Sequence, residues 1–388
     1  MPTCTSFSFI FEISILLAST VLFGTFLLIS YNNAHVLTHE HCPTHPTLNF
    51  TNTIEELHQM MIDLINKSQT RVIATITYTN WKRVLIKYVD VFKSAHNRGV
   101  DVQLIIFNSG NRGVEKYLIE NGIDFYTMYD YQNNSTIKAH VEFDSLIIDD
   151  DVYLVPLLFS QYQPKIGTVL SFHKCPVATN DVKSFIEFLL LGLNGQLPDI
   201  IPQYMYASSS ANKPTLVGDS SFYFHHTPDN LTYPLRAGTT SVILDLFSQY
   251  PDELLIFTKY TPLVPYEQHR LDSGQLFSYY IQLRALVSSN RTKVKILVSD
   301  DCELEYINFG LMSYPTFEMR MYNSTYEGPH YFITKKEGFL FSCQVTTNFL
   351  RNFYSLHFRS DSKEFRDKLK AHFDYVWNRS VKMQLKWE

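Results

Sequence analysis

The order of secondary-structure patterns in residues 54–388 occurs twice, and this repetition constrains the fold more than any other feature. In the first half, the amphipathic stretch EELHQMMIDLINKSQ precedes the β-rich runs RVIATITYTNW and VDVQLIIF, the strand pair FDSLIIDDDVYLV and a last helix. In the second half, ELLIFTKYTPLV, TKVKILVSD, FEMRMYNS and the pair HYFITKKEGFLFS follow in the same order before the helix SKEFRDKLKAHFDYVW. Short apolar runs joined by connectors long enough for helices predict α/β units.

The sequence predicts two α/β halves that pack side by side. Runs such as QLIIF and KILV are apolar after their first residue, which is typical of parallel strands with both faces covered. The segment LPDIIPQYMYASSSANKP is rich in Pro and Ser, so we place a first half at residues 54–199 and a second at residues 200–388. A content of 45% hydrophobic residues is typical of a globular chain. Its net charge of −5 argues against a general binder of polyanions.

Residues 7–30 are an apolar segment of the length that crosses a membrane. A span needs about 20 apolar residues, and the only charge in this segment is Glu12, near its start. No Lys or Arg precedes the segment and no small-residue cleavage site follows it, which favours an uncleaved anchor over a cleaved signal or a buried helix. We therefore predict a short cytosolic head over residues 1–6, a transmembrane signal anchor over residues 7–30 and a stalk over residues 31–53.

Asn-x-Ser/Thr acceptors predict that the body of the chain lies outside the cytosol. Chance gives about three or four acceptors at this composition, whereas the sequence has eight, all after the anchor. The excess favours a type II membrane glycoprotein with a lumenal or extracellular body, in the endoplasmic reticulum, the endolysosome, the cell surface or a viral envelope. Random acceptors in a cytosolic protein are the alternative. The eight are Asn49, Asn66, Asn133, Asn134, Asn230, Asn290, Asn323 and Asn378.

Four cysteines follow the anchor, and this even number suits an oxidising compartment. They are Cys42, Cys175, Cys302 and Cys343, and they can form two disulfides in three different pairings. No C-x-x-C pair is present, which argues against a structural zinc site. The sequence predicts neither a metal nor another cofactor.

Three segments resemble the phospholipase D superfamily, and most of all its lumenal branch containing phospholipases D3 and D4. They are ITYTNW, the strand entry RGVDV, and FHKCPVATNDVKSFIEFLLLG, in which a Cys precedes a Phe-rich helix ending in Leu-Gly. Over residues 40–385, the resemblance implies two α/β/α halves about a pseudo-twofold axis, a Cys42–Cys175 disulfide and a homodimer. Cys302 also has a matching position in that branch, but Cys343 has none, so a Cys302–Cys343 pair is not implied.

The chemistry that this resemblance implies needs one His-x-Lys-x4-Asp motif in each half. One His attacks the phosphodiester, the other protonates the leaving group, and the two Lys hold the phosphate oxygens. Aligning LIID on the family's strand places Glu142 at the His position, Asp144 at the Lys position and Asp149 at the Asp position. Anchoring on His140 instead places Glu142 at the Lys position. Neither register restores a Lys.

The second half departs from the motif as well. Gly328 takes the His position and His330 the Lys position. We therefore predict a catalytically degenerate protein without catalytic residues, which acts by binding or structural interaction, for example as a partner of an active phospholipase D-like relative. One alternative is an active lumenal phosphodiesterase or 5′ exonuclease on single-stranded nucleic acid, using His140 and His330. Another is a lipid-binding or membrane-remodelling protein.

An acidic cluster surrounds the altered motif of the first half. Glu142, Asp144 and residues 149–151 supply oxygen ligands of the kind that bind hard cations. An acidic hairpin turn in contact with solvent explains the same residues, and we favour that interpretation.

Overall fold

The structure, a computed structural model, describes the greater part of the chain after residue 41. The described residues are 42–76, 82–107, 112–128, 143–156, 158–159, 165–193, 215–227, 243, 246–259, 279–301, 309–326, 328–341 and 355–383. The predicted head, the anchor and most of the stalk lie outside them. Among the helices of the described residues, none has the length and apolar character required to cross a membrane.

The first half is built on a seven-stranded mixed sheet in the order β1-β7-β6-β5-β2-β3-β4. Strands β2, β3 and β4 are parallel to one another, and the other neighbours are antiparallel. The elements are β1 (Thr47–Thr51), α1 (Ile54–Lys67), β2 (Arg71–Ile76), α2 (Lys82–Asn97), β3 (Asp101–Phe107), α3 (Arg112–Glu120), β4 (Phe125–Met128), β5 (Phe143–Ile148), β6 (Asp151–Pro156), β7 (Gly167–Phe172) and α4 (Pro176–Leu193).

The second half is built on a nine-stranded sheet in the order β16-β12-β11-β10-β13-β14-β15-β9-β8. Two short 3₁₀ helices, Phe309–Ser313 and Ser324–Tyr326, flank β12. The other elements are β8 (Thr215–Val217), β9 (Ser220–Thr227), β10 (Glu253–Phe257), α5 (Tyr279–Ser288), β11 (Lys293–Ser299), β12 (Phe317–Tyr322), β13 (His330–Thr334), β14 (Gly338–Phe341), β15 (Ser355–Ser360), α6 (Lys363–Trp377) and β16 (Val381–Lys382).

The two sheets repeat one topology, which confirms the predicted duplication. The order β7-β6-β5-β2-β3-β4 in one sheet corresponds to β15-β14-β13-β10-β11-β12 in the other, and β10, β11 and β12 are parallel like their counterparts. One difference from the predicted domain bounds concerns β1, which lies within the predicted stalk of residues 31–53 and pairs with β7 at the edge of the first sheet. Its sequence, Thr-Leu-Asn-Phe-Thr, alternates polar and apolar residues, which is the pattern of a half-buried strand.

Local sequence fixes the first helix. Thr53 accepts a hydrogen bond from the backbone N–H of Glu56, and the Glu56 carboxylate accepts one from the backbone N–H of Asn52. This reciprocal capping satisfies N–H groups that the start of a helix leaves unpaired. The buried side chains of α1 then recur at helical spacing, at Leu57, Met61 and Ile65, and pack against the first sheet.

A single apolar core joins the two halves. It contains side chains of both sheets together with those of α4 and α6. Phe172 of β7 packs against Phe222, Phe224 and Phe358 of the second sheet, with ring centroids 5.7, 5.4 and 5.4 Å away. Separate cores cover the other face of each sheet. The halves therefore pack side by side, as the sequence predicts.

The Cys42–Cys175 disulfide that the resemblance implies is confirmed. Both cysteines are buried, and the bond ties the segment before β1 to the start of α4 across 133 residues of sequence. Cys302 and Cys343 lie outside the described residues.

Five of the eight predicted glycosylation acceptors fall in the part of the chain that the structure describes, and all five are exposed. They are Asn49, Asn66, Asn290, Asn323 and Asn378. Asn133, Asn134 and Asn230 lie outside it.

Candidate functional site

The strand registers make Asp144 and His330 equivalent residues of the two halves. In the first sheet Val72 pairs with Ile148, and in the second Leu254 pairs with Thr334. Asp144 lies four residues before Ile148, and His330 lies four residues before Thr334. The same register matches Asp149 with Lys335 and Glu142 with Gly328. His140 and Glu142 lie outside the described residues.

The Asp144 carboxylate is fully buried in the interior of the first half. Its Oδ2 accepts a hydrogen bond from the backbone N–H of Phe159 at 2.8 Å. The pKa of Tyr88 lies far above its ordinary value, mainly because the residue is buried and to a lesser extent because of the negative charge of Asp144. Tyr88 of α2 shares a 2.9 Å hydrogen bond with Nδ1 of His58 of α1. Asp144, Tyr88 and His58 thus form a cluster of buried polar side chains in the first half.

Apolar side chains pack beside this polar cluster. Leu158 and Phe159, which follow β6, are fully buried. The ring of Phe159 contacts that of Tyr88 edge to face, with centroids 4.9 Å apart. Phe159 therefore contacts two members of the cluster, Asp144 through its backbone N–H and Tyr88 through its ring.

His330 is also buried, with 3% of its surface exposed. Its Nδ1 accepts a hydrogen bond from the backbone N–H of Lys259 at 3.1 Å, so in the neutral ring the proton is on Nε2. Across the hairpin His330 pairs with the buried Phe341. The Lys259 ammonium lies 3.8 Å from the Asp301 carboxylate, so its charge is partly balanced within the protein.

Gly328, at the His position of the second half, lies beside a histidine that the sequence analysis did not single out. A Cβ on Gly328 would be 3.8 Å from Cε1 of His372, a residue of α6. His372 is buried, stacks on Phe50 at 4.6 Å and shares a 2.8 Å hydrogen bond with the Tyr331 hydroxyl. Burial lowers the pKa of His372 to about 4. Its imidazole is therefore neutral at neutral pH.

Asp149, in the turn between β5 and β6, anchors neighbouring backbone. Its carboxylate accepts hydrogen bonds from the backbone N–H groups of Gln69, Thr70 and Arg71 and from the Thr70 hydroxyl. Burial opposes ionisation of Asp149, but these hydrogen bonds outweigh it, so its pKa lies below the ordinary value. Its backbone has φ 54, in the left-handed region that Asp tolerates better than most residues.

The next two carboxylates of the turn have partners of their own. Asp150 is 3.6 Å from the Arg71 guanidinium and its side chain is 81% exposed. Asp151 accepts a 3.0 Å hydrogen bond from His173 Nδ1 and a 2.8 Å one from the backbone N–H of Lys174. Over the described residues, no three His, Cys, Asp or Glu side chains converge in the way a metal ion requires. Asp149, Asp150 and Asp151 each contact a different set of residues.

Comparison with known proteins identifies the fold. No family model and no curated protein sequence matches the chain. Among solved structures, phosphatidylserine synthase from Haemophilus influenzae Rd KW20 matches with a TM-score of 0.62 and 12% identity, covering 91% of each chain. The chain has a phospholipase D-like fold.

A second similar structure is polyphosphate kinase from Porphyromonas gingivalis, with a TM-score of 0.54 and 11% identity. That match covers 86% of this chain and 50% of the kinase. At these identities the similarity concerns the phospholipase D-like fold alone, and function has to be argued from the residues of the site.

Proposed function

We propose that this chain is a catalytically degenerate phospholipase D-like membrane glycoprotein that acts by binding or structural interaction in the lumen or at the surface. The observation that carries the proposal is the pair Asp144 and His330. They occupy equivalent strand positions, where the family resemblance implies two lysines, and both are buried.

A phosphodiester needs positive charge at these two positions. An ionised Asp144 would instead repel a phosphate group. At a distance of 4 Å and an effective dielectric constant of 20, this repulsion is about 4 kcal/mol. Asp144 already accepts a hydrogen bond from the Phe159 backbone N–H, and both residues are buried. This contact stabilises the fold of the first half and does not supply an anion site.

The predicted anchor over residues 7–30 and the eight acceptors support the membrane and lumenal part of the proposal. All five acceptors among the described residues are exposed, as attachment of a glycan requires. The buried Cys42–Cys175 disulfide suits the same oxidising setting.

Turnover by the full chain tests the proposal. We would produce the chain in a glycosylating host, purify it in mild detergent, and assay a chromogenic phosphodiester and end-labelled single-stranded DNA at pH 5 and pH 7. The matched control is the double variant His140→Ala/His330→Ala. We expect the same background for both proteins. Turnover that the double variant loses would mean that the two histidines form an active site, and the proposal would be wrong.

A further inference from the structure

A groove of about 440 Å³ runs between β1 of the first half and α6 of the second. One wall consists of β1 residues, including Asn49 and Phe50, and the other includes Lys368, His372 and Tyr375 of α6. Phe50 of one wall stacks on His372 of the other, with ring centroids 4.6 Å apart. The groove therefore lies where the two halves meet.

Asn49 distinguishes this groove from the rest of the described surface. It is exposed and begins the acceptor Asn-Phe-Thr. Of the five described acceptors it is the one that lines the groove. A glycan attached to Asn66, in the last turn of α1, would begin outside it. Asn66 is thus a natural internal control.

The opposite wall suits a sugar. Tyr375 is 42% exposed. The Arg379 guanidinium lies over one face of its ring, 3.7 Å from the centroid, and the Tyr326 ring lies 6.0 Å away. One face of a pyranose ring carries C–H groups that pack on an aromatic ring, while its hydroxyl and N-acetyl groups hydrogen-bond to polar neighbours. Lys368, in the same wall, provides an N–H donor at the groove.

We propose that the first sugars of an N-linked glycan on Asn49 occupy this groove and pack on Tyr375. A covalently attached carbohydrate then bridges β1 of the first half and α6 of the second. Attachment at the groove gives the sugar a high effective concentration there, so even a weak contact is populated. The inference rests on the lumenal, glycosylated setting proposed above, and it concerns a surface separate from the Asp144 and His330 positions.

Attachment uses a lipid-linked oligosaccharide diphosphate as donor. A bond forms between Nδ2 of Asn49 and C1 of the first sugar, and the bond between C1 and the diphosphate oxygen breaks. The lipid diphosphate leaves with that electron pair, and the side-chain amide loses one proton. The transfer involves no oxidation or reduction.

Release of the glycan by peptide N-glycosidase F tests the proposal. The full chain, made in a glycosylating host, would be treated in its folded state, and glycan release at Asn49 and Asn66 followed by mass spectrometry of glycopeptides. We expect release at Asn49 to be at least about tenfold slower than at Asn66, because the enzyme acts only on the unseated fraction. After denaturation the two rates should be similar.

The variant Tyr375→Ala should remove this protection, while Tyr126→Ala, at an exposed tyrosine of β4, should leave it intact. Circular dichroism melting would verify that both variants fold. Equal rates in the folded protein, protection that persists in Tyr375→Ala, or an unmodified Asn49 beside a modified Asn66 would each overturn the inference alone. Absence of glycans at every acceptor would overturn both the inference and the lumenal setting.

Discussion

The Tyr331 hydroxyl and Nδ1 of His372 share a 2.8 Å hydrogen bond in the interior of the second half. Both side chains are buried, and His372 also stacks on Phe50 of the first sheet. A protonated His372 would place an uncompensated charge among these rings, which is why burial lowers its pKa. The contact makes the junction between the halves sensitive to acid.

We predict that the stability of the fold falls as the pH decreases from about 6.5 to about 4. In the unfolded chain His372 takes up a proton near its ordinary pKa of 6.5, whereas in the folded chain it does so only near pH 4. The unfolded state therefore binds more protons in this window. At pH 4, the titration of His372 alone lowers the free energy of unfolding by about 3 kcal/mol relative to neutral pH.

Denaturant unfolding at several pH values checks this expectation. The variant His372→Phe keeps an aromatic ring but cannot titrate, so its stability should change less between pH 6.5 and pH 4 than that of the parent chain. Leu216→Ala is the control, because Leu216 is exposed and carries no titratable group, so the pH dependence should stay that of the parent. A pH profile of His372→Phe parallel to that of the parent would contradict the prediction.

Asp144→Ala should destabilise the first half. The change leaves the buried backbone N–H of Phe159 without its carboxylate acceptor, which costs about 1–3 kcal/mol, and Asp144→Asn should cost less because the amide oxygen still accepts. Thermal unfolding measures both. Asp150→Ala replaces a side chain that is 81% exposed and should change the free energy of unfolding by no more than about 0.5 kcal/mol. Equal stabilities of Asp144→Ala and Asp150→Ala would show that the carboxylate has no structural role.

Loss of the Cys42–Cys175 disulfide should lower the unfolding free energy by about 2–5 kcal/mol, since the bond closes a long loop of the unfolded chain. The double variant Cys42→Ser/Cys175→Ser tests this, with denaturant unfolding of the oxidised parent as the reference. Reduction of the parent under denaturing conditions, followed by refolding in reductant, should give the same loss. An unchanged midpoint in the double variant would contradict this prediction.

The duplicated order of strands and helices could be predicted from the sequence, because the same pattern of apolar residues occurs in each half. The contacts of the altered motif could not. His58 and Tyr88 meet although 30 residues separate them, and the Asp144 partner is set by the path of the chain after β6. His372 lies on the buried face of α6 with Leu369 and Val376, a spacing visible in the sequence that indicates burial without naming the histidine's partners.

Asp149→Ala should destabilise the hairpin by about 2 kcal/mol, because several hydrogen bonds to residues 69–71 are lost and because Ala tolerates φ 54 poorly. Asp149→Asn keeps an acceptor oxygen and the tolerance of that backbone conformation, so its loss should be smaller. The pKa of Asp149 is lowered in the folded state, so its contribution is present above about pH 4 and is lost as the pH falls. Urea unfolding should therefore show a smaller difference in unfolding free energy between Asp149→Asn and the parent at pH 3 than at pH 7. A difference in unfolding free energy that is larger at pH 3 than at pH 7 would contradict this prediction.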